Sequence, residues 1–321
     1  MKMLNSTPET THQSHRSDLE VPKRRSKHAN AMAATMPMNT VHCADVLDAL
    51  GRIKASAVFD VVIADPPYNI GKDFGNDSDK RALSDYLEWS DAWLGECLRL
   101  AKPGALIYVY GFAEVLAHIS VRHPMAQQRW LVWHYTNKTV PTLKFWQRSH
   151  ESILCLWHGK RPAIDVDAVR EEYTRGFLKG SAGKERKDTL CRYGRKGRKT
   201  VYAAHPKGAL PRDVIKTPAL AGGAGYVERW FYCKTCQQLC SPKENDAHET
   251  HDTIKHPTQK PAALTKKLIA ATPTPHPRVL IPFAGSGSEC VVAQKMNADF
   301  YALEINPDYV LLANQWLDNT R

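Results

Sequence analysis

The chain contains no apolar run that is long enough to cross a membrane. None of its 321 residues fall in a stretch approaching the roughly 20 consecutive apolar side chains that a spanning helix needs. The first residues, 1–38, are polar and lack the apolar core of a signal peptide, so we expect a mobile arm on a cytoplasmic, bacterial protein. In that reducing compartment, the eight cysteines should be thiols or metal ligands.

The chain also has fewer acidic than basic side chains. Its 44 basic and 33 acidic side chains give a net charge of +11. Much of the excess lies between Arg170 and Lys216, where fourteen basic and five acidic residues leave +9. A polyanion such as nucleic acid is the partner that this stretch predicts, and a solvated basic loop is the alternative. The apolar fraction of 43% excludes a disordered chain and allows one large α/β domain with an insertion, or two ordinary domains.

The pattern from residue 41 onward predicts strands alternating with helices. Residues 59–64 form a nearly continuous apolar run, which is typical of a fully buried parallel strand. Pro66 and Pro67 must end that strand at Asp65, because proline cannot donate a ladder hydrogen bond. Helical spacing of apolar residues follows from Leu83 to Leu98. Further strands are predicted at 105–112, 129–136 and 151–159.

The tetrapeptide Asp65-Pro66-Pro67-Tyr68 carries the first chemical signal. An exocyclic base amine is a poor nucleophile until acceptors draw its lone pair out of the ring plane. The Asp65 carboxylate and a backbone carbonyl fixed by successive prolines could supply such acceptors, and Tyr68 could stack on the base. The alternative is a strand that ends in a proline turn, with an incidental aspartate and tyrosine.

A glycine-rich turn near the C-terminus carries the second signal. The segment 279–281 reads as a strand, a turn with two glycines follows at 283–287, and a helix starts at Ser288. Glu304 ends the next strand, where an acidic side chain can hold the two hydroxyls of a ribose. A dinucleotide-binding enzyme would share this pattern, but no third glycine completes the phosphate fingerprint. A ligand with a ribose and no pyrophosphate is favoured.

Together the two segments resemble the DNA amino-methyltransferases, which methylate N6 of adenine or N4 of cytosine with S-adenosylmethionine. The DPPY motif precedes the glycine turn, and HPTQKP at 256–261 lies just before that turn, as in the β-class permutation. The resemblance implies a circularly permuted, Rossmann-like α/β fold with a mostly parallel twisted sheet. The catalytic and cofactor-binding domain would comprise 39–160 and 250–321, with a target-recognition insertion at 161–249.

The resemblance also implies a role for each motif residue. Asp65 and Pro66 would hold the target amine, Pro67 would fix the turn, and Tyr68 would stack on the base. The implied cofactor residues are Phe283, Gly285, Ser286 and Gly287 around the methionine part, Glu304 at the ribose, Thr258 and Lys260 at the carboxylate, and Asp45 at the adenine. Asp65 and the turn at 285–287 must then border one pocket.

Some of these assignments have alternatives. Lys260 could be a surface lysine, and Asp45 could cap the helix that begins after it. The chain departs from the family at Ile281, where an aspartate is usual, and at Ser288 and Glu289, where threonines are frequent. The first departure removes an expected polar contact near the cofactor.

The function implied is that of a site-specific DNA adenine N6-methyltransferase, which acts on an adenine flipped out of double-stranded DNA and serves a restriction-modification system. DPPY, rather than SPPY, favours adenine. A cytosine N4-methyltransferase and a catalytically silent DNA-binding module stay open as alternatives, as does an RNA substrate. The resemblance also leaves open a homodimer, a companion restriction endonuclease and an association with the nucleoid.

A cluster of cysteines and histidines lies inside the predicted insertion. Cys233 and Cys236 have metal-ligand spacing, and His248 and His251 follow. A small structural zinc site is one interpretation, although the gap between the histidines is short and Cys240 competes as a ligand. Free thiols are the default. A catalytic metal is not needed, because the cofactor's sulfonium is already an activated methyl donor.

Overall fold

The computed structural model describes residues 37–74, 79–137, 142–187 and 199–321. The predicted arm therefore lies outside the described residues except for its last two positions, and so does the most basic part of the predicted insertion, 188–198. Within the described ranges, no helix has both the length and the apolar character that crossing a bilayer requires.

Thirteen strands are present in the part of the chain that the structure describes. They are β1 Val41–Cys43, β2 Phe59–Ala64, β3 Ala101–Gly111, β4 Gln128–His134, β5 His150–Leu156, β6 Glu185–Lys187, β7 Lys199–Val201, β8 Val214–Lys216, β9 Phe231–Cys233, β10 Gln238–Cys240, β11 Thr253–Ile254, β12 Arg278–Ile281 and β13 Asp299–Glu304. The strands predicted near 59–64, 105–112, 129–136, 151–159 and 279–281 are confirmed. β3 begins four residues earlier than predicted, because Ala101 already pairs with Phe59.

Eight α-helices connect or flank these strands in the described ranges. They are α1 Val46–Gly51, α2 Leu83–Leu100, α3 Ala113–Ser120, α4 Arg175–Gly180, α5 Gly225–Glu228, α6 Ala262–Ala270, α7 Ser288–Lys295 and α8 Pro307–Asp318. Short 3₁₀ turns lie at Met125–Gln127, Asp167–Val169, Gly222–Ala224, Pro242–Glu244 and Asp246–His248. The amphipathic pattern of α2 buries Tyr86, Trp93 and Cys97 along one side, as its spacing predicted.

Eight strands form the central sheet, in the order β1-β13-β12-β2-β3-β5-β4-β8. All neighbours are parallel except β5, which runs antiparallel to both β3 and β4. Val279 of β12 pairs with Val61 of β2, so strands from the two ends of the chain are direct neighbours. This arrangement places the segments after β2 and after β12 side by side at one edge of the sheet, where open α/β sheets bind ligands.

Side-chain alternation along β2 divides the core into two layers. Val61 and Ile63 pack on one face with residues of α6, α7 and α8, whereas Val62 and Ala64 pack on the other face with residues of α1, α2 and α3. The sheet is therefore covered by helices on both sides, which explains why its strands are apolar runs rather than alternating ones. The predicted α/β fold with a mostly parallel sheet is confirmed.

The predicted insertion at 161–249 does not separate cleanly from the rest of the chain. Its strand β8 extends the central sheet by pairing with β4. Its strand β9 pairs with β10 and also with β11, which lies beyond the predicted boundary, to form a three-stranded sheet. β6 and β7 pair as a two-stranded ribbon. The division into domains stays a prediction, and its second boundary crosses a small sheet.

Candidate active site

The two sequence motifs line one cavity. Asp65 follows β2 directly, and Phe283 follows the neighbouring strand β12 after one intervening residue. The predicted site residues that line the cavity are Asp45, Asp65, Pro66, Pro67, Tyr68, Thr258, Lys260, Phe283, Gly285, Ser286 and Glu304. The expectation that the acidic motif and the glycine turn share a pocket is therefore met, with Gly287 as the exception.

Four polar side chains form a network at the centre of this cavity. Lys260 Nζ lies 2.6 Å from Asp65 Oδ2 and 3.8 Å from Glu151 Oε2. Tyr68 Oη lies 2.9 Å from Asp65 Oδ1 and 2.9 Å from Glu151 Oε2, so its single proton can serve either carboxylate. Burial and the two carboxylates together raise the pKa of Tyr68 well above its usual value. The tyrosine is therefore a neutral donor that bridges two negative groups.

The environment of Lys260 excludes one of its two predicted roles. Its side chain is only 5% exposed, so the surface-lysine alternative is wrong. Instead of reaching only toward a ligand, the ammonium pairs with Asp65 and lies 5.0 Å from the ring centre of Tyr110. Burial alone would lower the pKa of Lys260, but the charges of Asp65 and Glu151 outweigh burial and raise it. Lys260 is thus a fixed cation beside the DPPY carboxylate.

Glu151 is a member of the site that the motif analysis missed. It lies near the start of β5, the strand that runs opposite to its neighbours. Reversal puts the beginning of β5 at the same edge of the sheet as the ends of β2 and β3, so Glu151 faces the DPPY motif. The glutamate at the start of the predicted strand 151–159 was the available signal, but the direction of that strand could not be derived from its pattern.

The segment after the DPPY motif is held by a buried carboxylate. Asp79 is 1% exposed and accepts backbone N–H groups from Asn69, Ile70 and Lys72. The hydroxyl of Tyr86 donates to the carbonyl of Pro67 at 2.8 Å. This hydrogen bond fixes the end of the proline turn. Sequence reasoning missed the roles of both Asp79 and Tyr86.

The two glycines of the turn have different functions in the fold. Gly285 has a φ of 50°, and a Cβ on it would lie 2.8 Å from Nε2 of His256, so the turn and the HPTQKP segment are in close contact. Gly287 has a φ of 82°, and a Cβ there would lie 2.6 Å from Cβ of Ala313 in α8. Gly287 packs α7 against α8 and is not among the residues that line the cavity, so its role at the cofactor stays a prediction.

Glu304 connects the end of β13 to the glycine turn. Its Oε2 accepts the N–H of Gly285 at 2.9 Å, and its Oε1 accepts the N–H of Asn306 at 2.8 Å. Each carboxylate oxygen has a further lone pair, so the group can still accept two ribose hydroxyls. Burial raises the pKa of Glu304. Next to it, Phe283 is fixed by edge-on contact with Trp93 at a centroid distance of 5.1 Å.

Three further residues line the same cavity: Asp45, Thr258 and His256. Asp45 caps α1 by accepting the N–H of Leu47 at 2.8 Å and also lines the cavity, so both of its predicted roles are structurally compatible. Thr258 is exposed, and its carbonyl contacts Nδ1 of His256. Burial, followed by the nearby charge of Lys260, lowers the pKa of His256 to about 3. This ring is therefore neutral at physiological pH.

The cavity is rich in negative charge. Its acidic lining residues are Asp45, Asp65, Asp79, Glu151, Glu289 and Glu304, against the basic residues Lys72, Arg81 and Lys260. Burial, with a smaller contribution from the charge of Asp65, raises the pKa of Glu289 to about 7. An excess of carboxylates suits a ligand that carries a cationic centre, such as the sulfonium of S-adenosylmethionine. Ile281 packs in the core and does not line the cavity, so the predicted loss of a polar contact there does not alter the cavity wall.

A cluster of cysteines and histidines lies outside the lining of this cavity. Cys233, Cys236, His248 and His251 each offer one ligand atom, and the four atoms lie within 4.8 Å of one another. The sequence interpretation of a metal site is therefore geometrically feasible. Cys240 contacts His248 from the other side of its ring.

Comparison with known proteins identifies relatives of the whole described fold. A family model described as DNA methylase matches residues 59–315. The type II methyltransferase M.HpaI of Haemophilus parainfluenzae is 26% identical over 86% of this chain and 73% of its own length. The DNA adenine methyltransferase YhdJ of Escherichia coli (strain K12) is 29% identical over 87% of this chain and 82% of its own length.

Solved structures show the same fold at low sequence identity. The cytosine-N4-specific PvuII DNA methyltransferase superposes with a TM-score of 0.58, with 14% identity and coverage of 88% of each chain. The complex of M1.HpyAVI with S-adenosylmethionine superposes with a TM-score of 0.50, with 17% identity and coverage of 87% of this chain and 98% of the other.

Proposed function

Because the chain belongs to the N6/N4 family of S-adenosylmethionine-dependent DNA methylases, we propose that it is a site-specific adenine N6-methyltransferase of double-stranded DNA. The observation that carries the proposal is the convergence of Asp65 with the Glu304-bound glycine turn on one cavity. An amine donor site and a nucleoside site must be adjacent for a methyl group to pass between them.

Adenine is proposed as the target base on two grounds. The motif contains Asp65 where the serine version is associated with cytosine. In addition, a relative at 29% identity is described as a DNA adenine methyltransferase. The similarity to a cytosine-N4-specific enzyme is a likeness of fold at 14% identity, so it does not favour cytosine.

Asp65 and the Pro66 carbonyl are proposed to accept hydrogen bonds from the target amine. Both acceptors are held before any substrate arrives, Asp65 by Lys260 and Tyr68, and the turn by its two prolines. Lys260 forms an ion pair with Asp65 and is proposed also to attract the cofactor carboxylate, together with Thr258. The ring of Tyr68, with Phe112 edge-on at 5.2 Å, is proposed to stack on the flipped base.

The cofactor site is proposed to comprise Phe283, Gly285, Ser286, Glu304 and Asp45. S-adenosylmethionine supplies an activated methyl group on a sulfonium. The two carboxylates suit the ribose and adenine ends of such a ligand, and the Glu304 carboxylate is already oriented by the Gly285 amide. The acidic wall favours the positive charge over its neutral product, which aids release after transfer.

We propose that 161–249 contains the target-recognition region, because it holds the whole basic stretch from Arg170 to Lys216. A restriction-modification role is proposed from the type II relatives. A homodimer and a companion endonuclease follow from the same family likeness and remain proposals.

One experiment tests both the activity and the base. Unmethylated duplex DNA is incubated with the full chain and methyl-labelled S-adenosylmethionine, and the DNA is then digested to nucleosides and analysed by mass spectrometry. Labelled N6-methyldeoxyadenosine is the expected product. Labelled N4-methyldeoxycytidine would overturn the choice of adenine. A chain that binds no S-adenosylmethionine in equilibrium dialysis and labels no nucleoside would favour a silent DNA-binding module.

A further inference from the structure

We propose that Cys233, Cys236, His248 and His251 form a structural zinc site that fastens the three-stranded sheet β9-β10-β11. The four side chains come from two separate segments, the end of β9 with the turn that follows it, and the turn before β11. Their ligand atoms converge to within 4.8 Å of one another. Two thiolates with two imidazoles form a donor set that zinc prefers in tetrahedral structural sites.

The distances between the donor atoms match one shared ion. The sulfur–nitrogen separations are 3.5 Å from Cys233 to His251, 3.4 Å from Cys236 to His251 and 3.7 Å from Cys236 to His248. The two Nδ1 atoms are 3.1 Å apart. A tetrahedral zinc with ordinary bond lengths separates sulfur from nitrogen by about 3.6 Å and two nitrogens by about 3.4 Å. Both kinds of separation agree with that geometry.

The local backbone explains the unusual ligand spacing. His248 ends a short 3₁₀ turn, and the N–H of His251 donates to its carbonyl at 3.1 Å, so a gap of two residues puts both rings on the same side. At the other segment, the N–H of Cys236 donates to the sulfur of Cys233 at 3.3 Å, which orients that thiolate. The short histidine gap that weakened the sequence interpretation is thus accommodated.

Cys240 is assigned a supporting role rather than a ligand role. Its sulfur lies 3.5 Å from Nε2 of His248, the ring nitrogen that faces away from the other three residues. A partner on the second nitrogen fixes the tautomer that leaves Nδ1 free to bind metal. Burial raises the pKa of the Cys240 thiol.

The small sheet has too little apolar packing of its own to be stable without such a link. One of its clusters consists of Phe231, Cys233 and Cys240 alone. The other reaches outward, with Tyr232 and Ile254 packing on Tyr309 and Leu312. Modules with so small a core usually require a metal or disulfides. The proposed ion would therefore join the chain around the end of β9 to the turn before β11, while apolar side chains pack the sheet on α8.

The test is metal analysis of the full chain. The protein is purified under reducing conditions with a tag that contains no histidine, loaded with zinc and freed of excess metal by gel filtration. We expect one zinc per chain by mass spectrometry. Replacement by Co²⁺ should give the visible spectrum of a tetrahedral site with thiolate charge-transfer bands. This result does not depend on methyl transfer, so it stands or fails separately from the proposed function.

Variants identify the ligands. Cys236→Ser and His251→Ala should each lose the stoichiometric zinc, and Cys236 is exposed, so its replacement leaves no core cavity. Cys43→Ser, at an exposed cysteine of β1, should retain one zinc per chain. Cys240→Ala should retain the Co²⁺ spectrum with affinity reduced about 10- to 100-fold. Chelation of the wild type should increase proteolysis within 234–251.

Three outcomes would overturn the proposal. The first is a wild-type chain that takes up no zinc under these conditions. The second is thiol titration that finds Cys233 and Cys236 joined as a disulfide in the reduced preparation. The third is loss of the Co²⁺ spectrum in Cys240→Ala together with its retention in His251→Ala.

Discussion

The ammonium of Lys260 lies 2.6 Å from the carboxylate of Asp65, although 195 residues separate them in the chain. This pair joins the segment after β2 to the segment before α6. The side chain of Lys260 is 5% exposed and that of Asp65 is 18% exposed. A buried pair of this kind is costly to break from either side, because the remaining charge loses its partner. It therefore defines the resting geometry of the DPPY motif.

Replacing Asp65 by alanine should reduce methyl transfer by roughly 10²- to 10³-fold or more, as expected for loss of a preorganised hydrogen-bonding group. Cofactor binding should change little, because the residues around Gly285 and Glu304 are untouched. Single-turnover rates and equilibrium dialysis with S-adenosylmethionine measure the two effects. Asp85→Ala, at an exposed position of α2, is the control. Near-normal methyl transfer in the Asp65 variant would contradict the assignment.

Replacing Lys260 by methionine should lower the free energy of unfolding by about 3–5 kcal/mol, which is the usual cost of removing one partner of a buried ion pair. The substitution keeps most of the side-chain volume but removes the cation beside Asp65 and Glu151. Denaturant unfolding measures the loss. The matched control is Lys102→Met, which breaks the pair with Asp60 at a lysine side chain that is 44% exposed and should cost about 1 kcal/mol or less. A Lys260 variant that is as stable as this control would argue against the electrostatic role.

The elements that position the site could be derived from the sequence because their signals are local. Residues 59–64 form the predicted strand with the predicted end, since the prolines after Asp65 stop it regardless of the rest of the fold. Glu151 could not be found in this way, because its approach to Asp65 depends on the reversed direction of β5, which leaves no trace in side-chain alternation. The contact of Gly287 with Ala313 was missed for a similar reason, because it forms only when α7 packs on α8.

Replacing Glu289 by glutamine should stabilise the cofactor-free protein at pH 8 and have little effect near pH 5. The folded-state pKa of Glu289 is about 7, raised from 4.5 by burial, so the folded state binds its proton more tightly than the unfolded state does. The free energy of unfolding therefore falls by at most about 3 kcal/mol as pH rises from 4.5 to about 7. Glutamine can still accept the hydrogen bond from Ser288. Denaturant unfolding at both pH values is the measurement. An equal gain in the free energy of unfolding at pH 5 and pH 8 would refute the explanation that the buried charge of Glu289 is the cause.

Replacing Trp146 by alanine should weaken DNA binding about 5- to 150-fold, the range expected for loss of one stacking contact of about 1–3 kcal/mol. Trp146 and Phe145 are 87% and 80% exposed on the connection that leads from β4 to Glu151 at the site. Binding of a labelled duplex, measured by fluorescence anisotropy, tests this. Met125→Ala is the matched control, since Met125 is 90% exposed but precedes β4, at the opposite edge of the sheet. Equal losses in the two variants would exclude a specific contact at Trp146.

Replacing Gly287 by alanine should lower the free energy of unfolding by about 2–5 kcal/mol. A left-handed backbone costs a residue with a Cβ about 1–2 kcal/mol, and forcing a methyl group against Ala313 adds about 1–3 kcal/mol of overpacking. Because Gly287 packs α7 on α8 rather than lining the cavity, the cofactor dissociation constant of the folded fraction should stay near that of the wild type. Urea unfolding and dialysis with S-adenosylmethionine separate the two effects. A stable variant that no longer binds the cofactor would restore Gly287 to the cofactor site and refute the packing role.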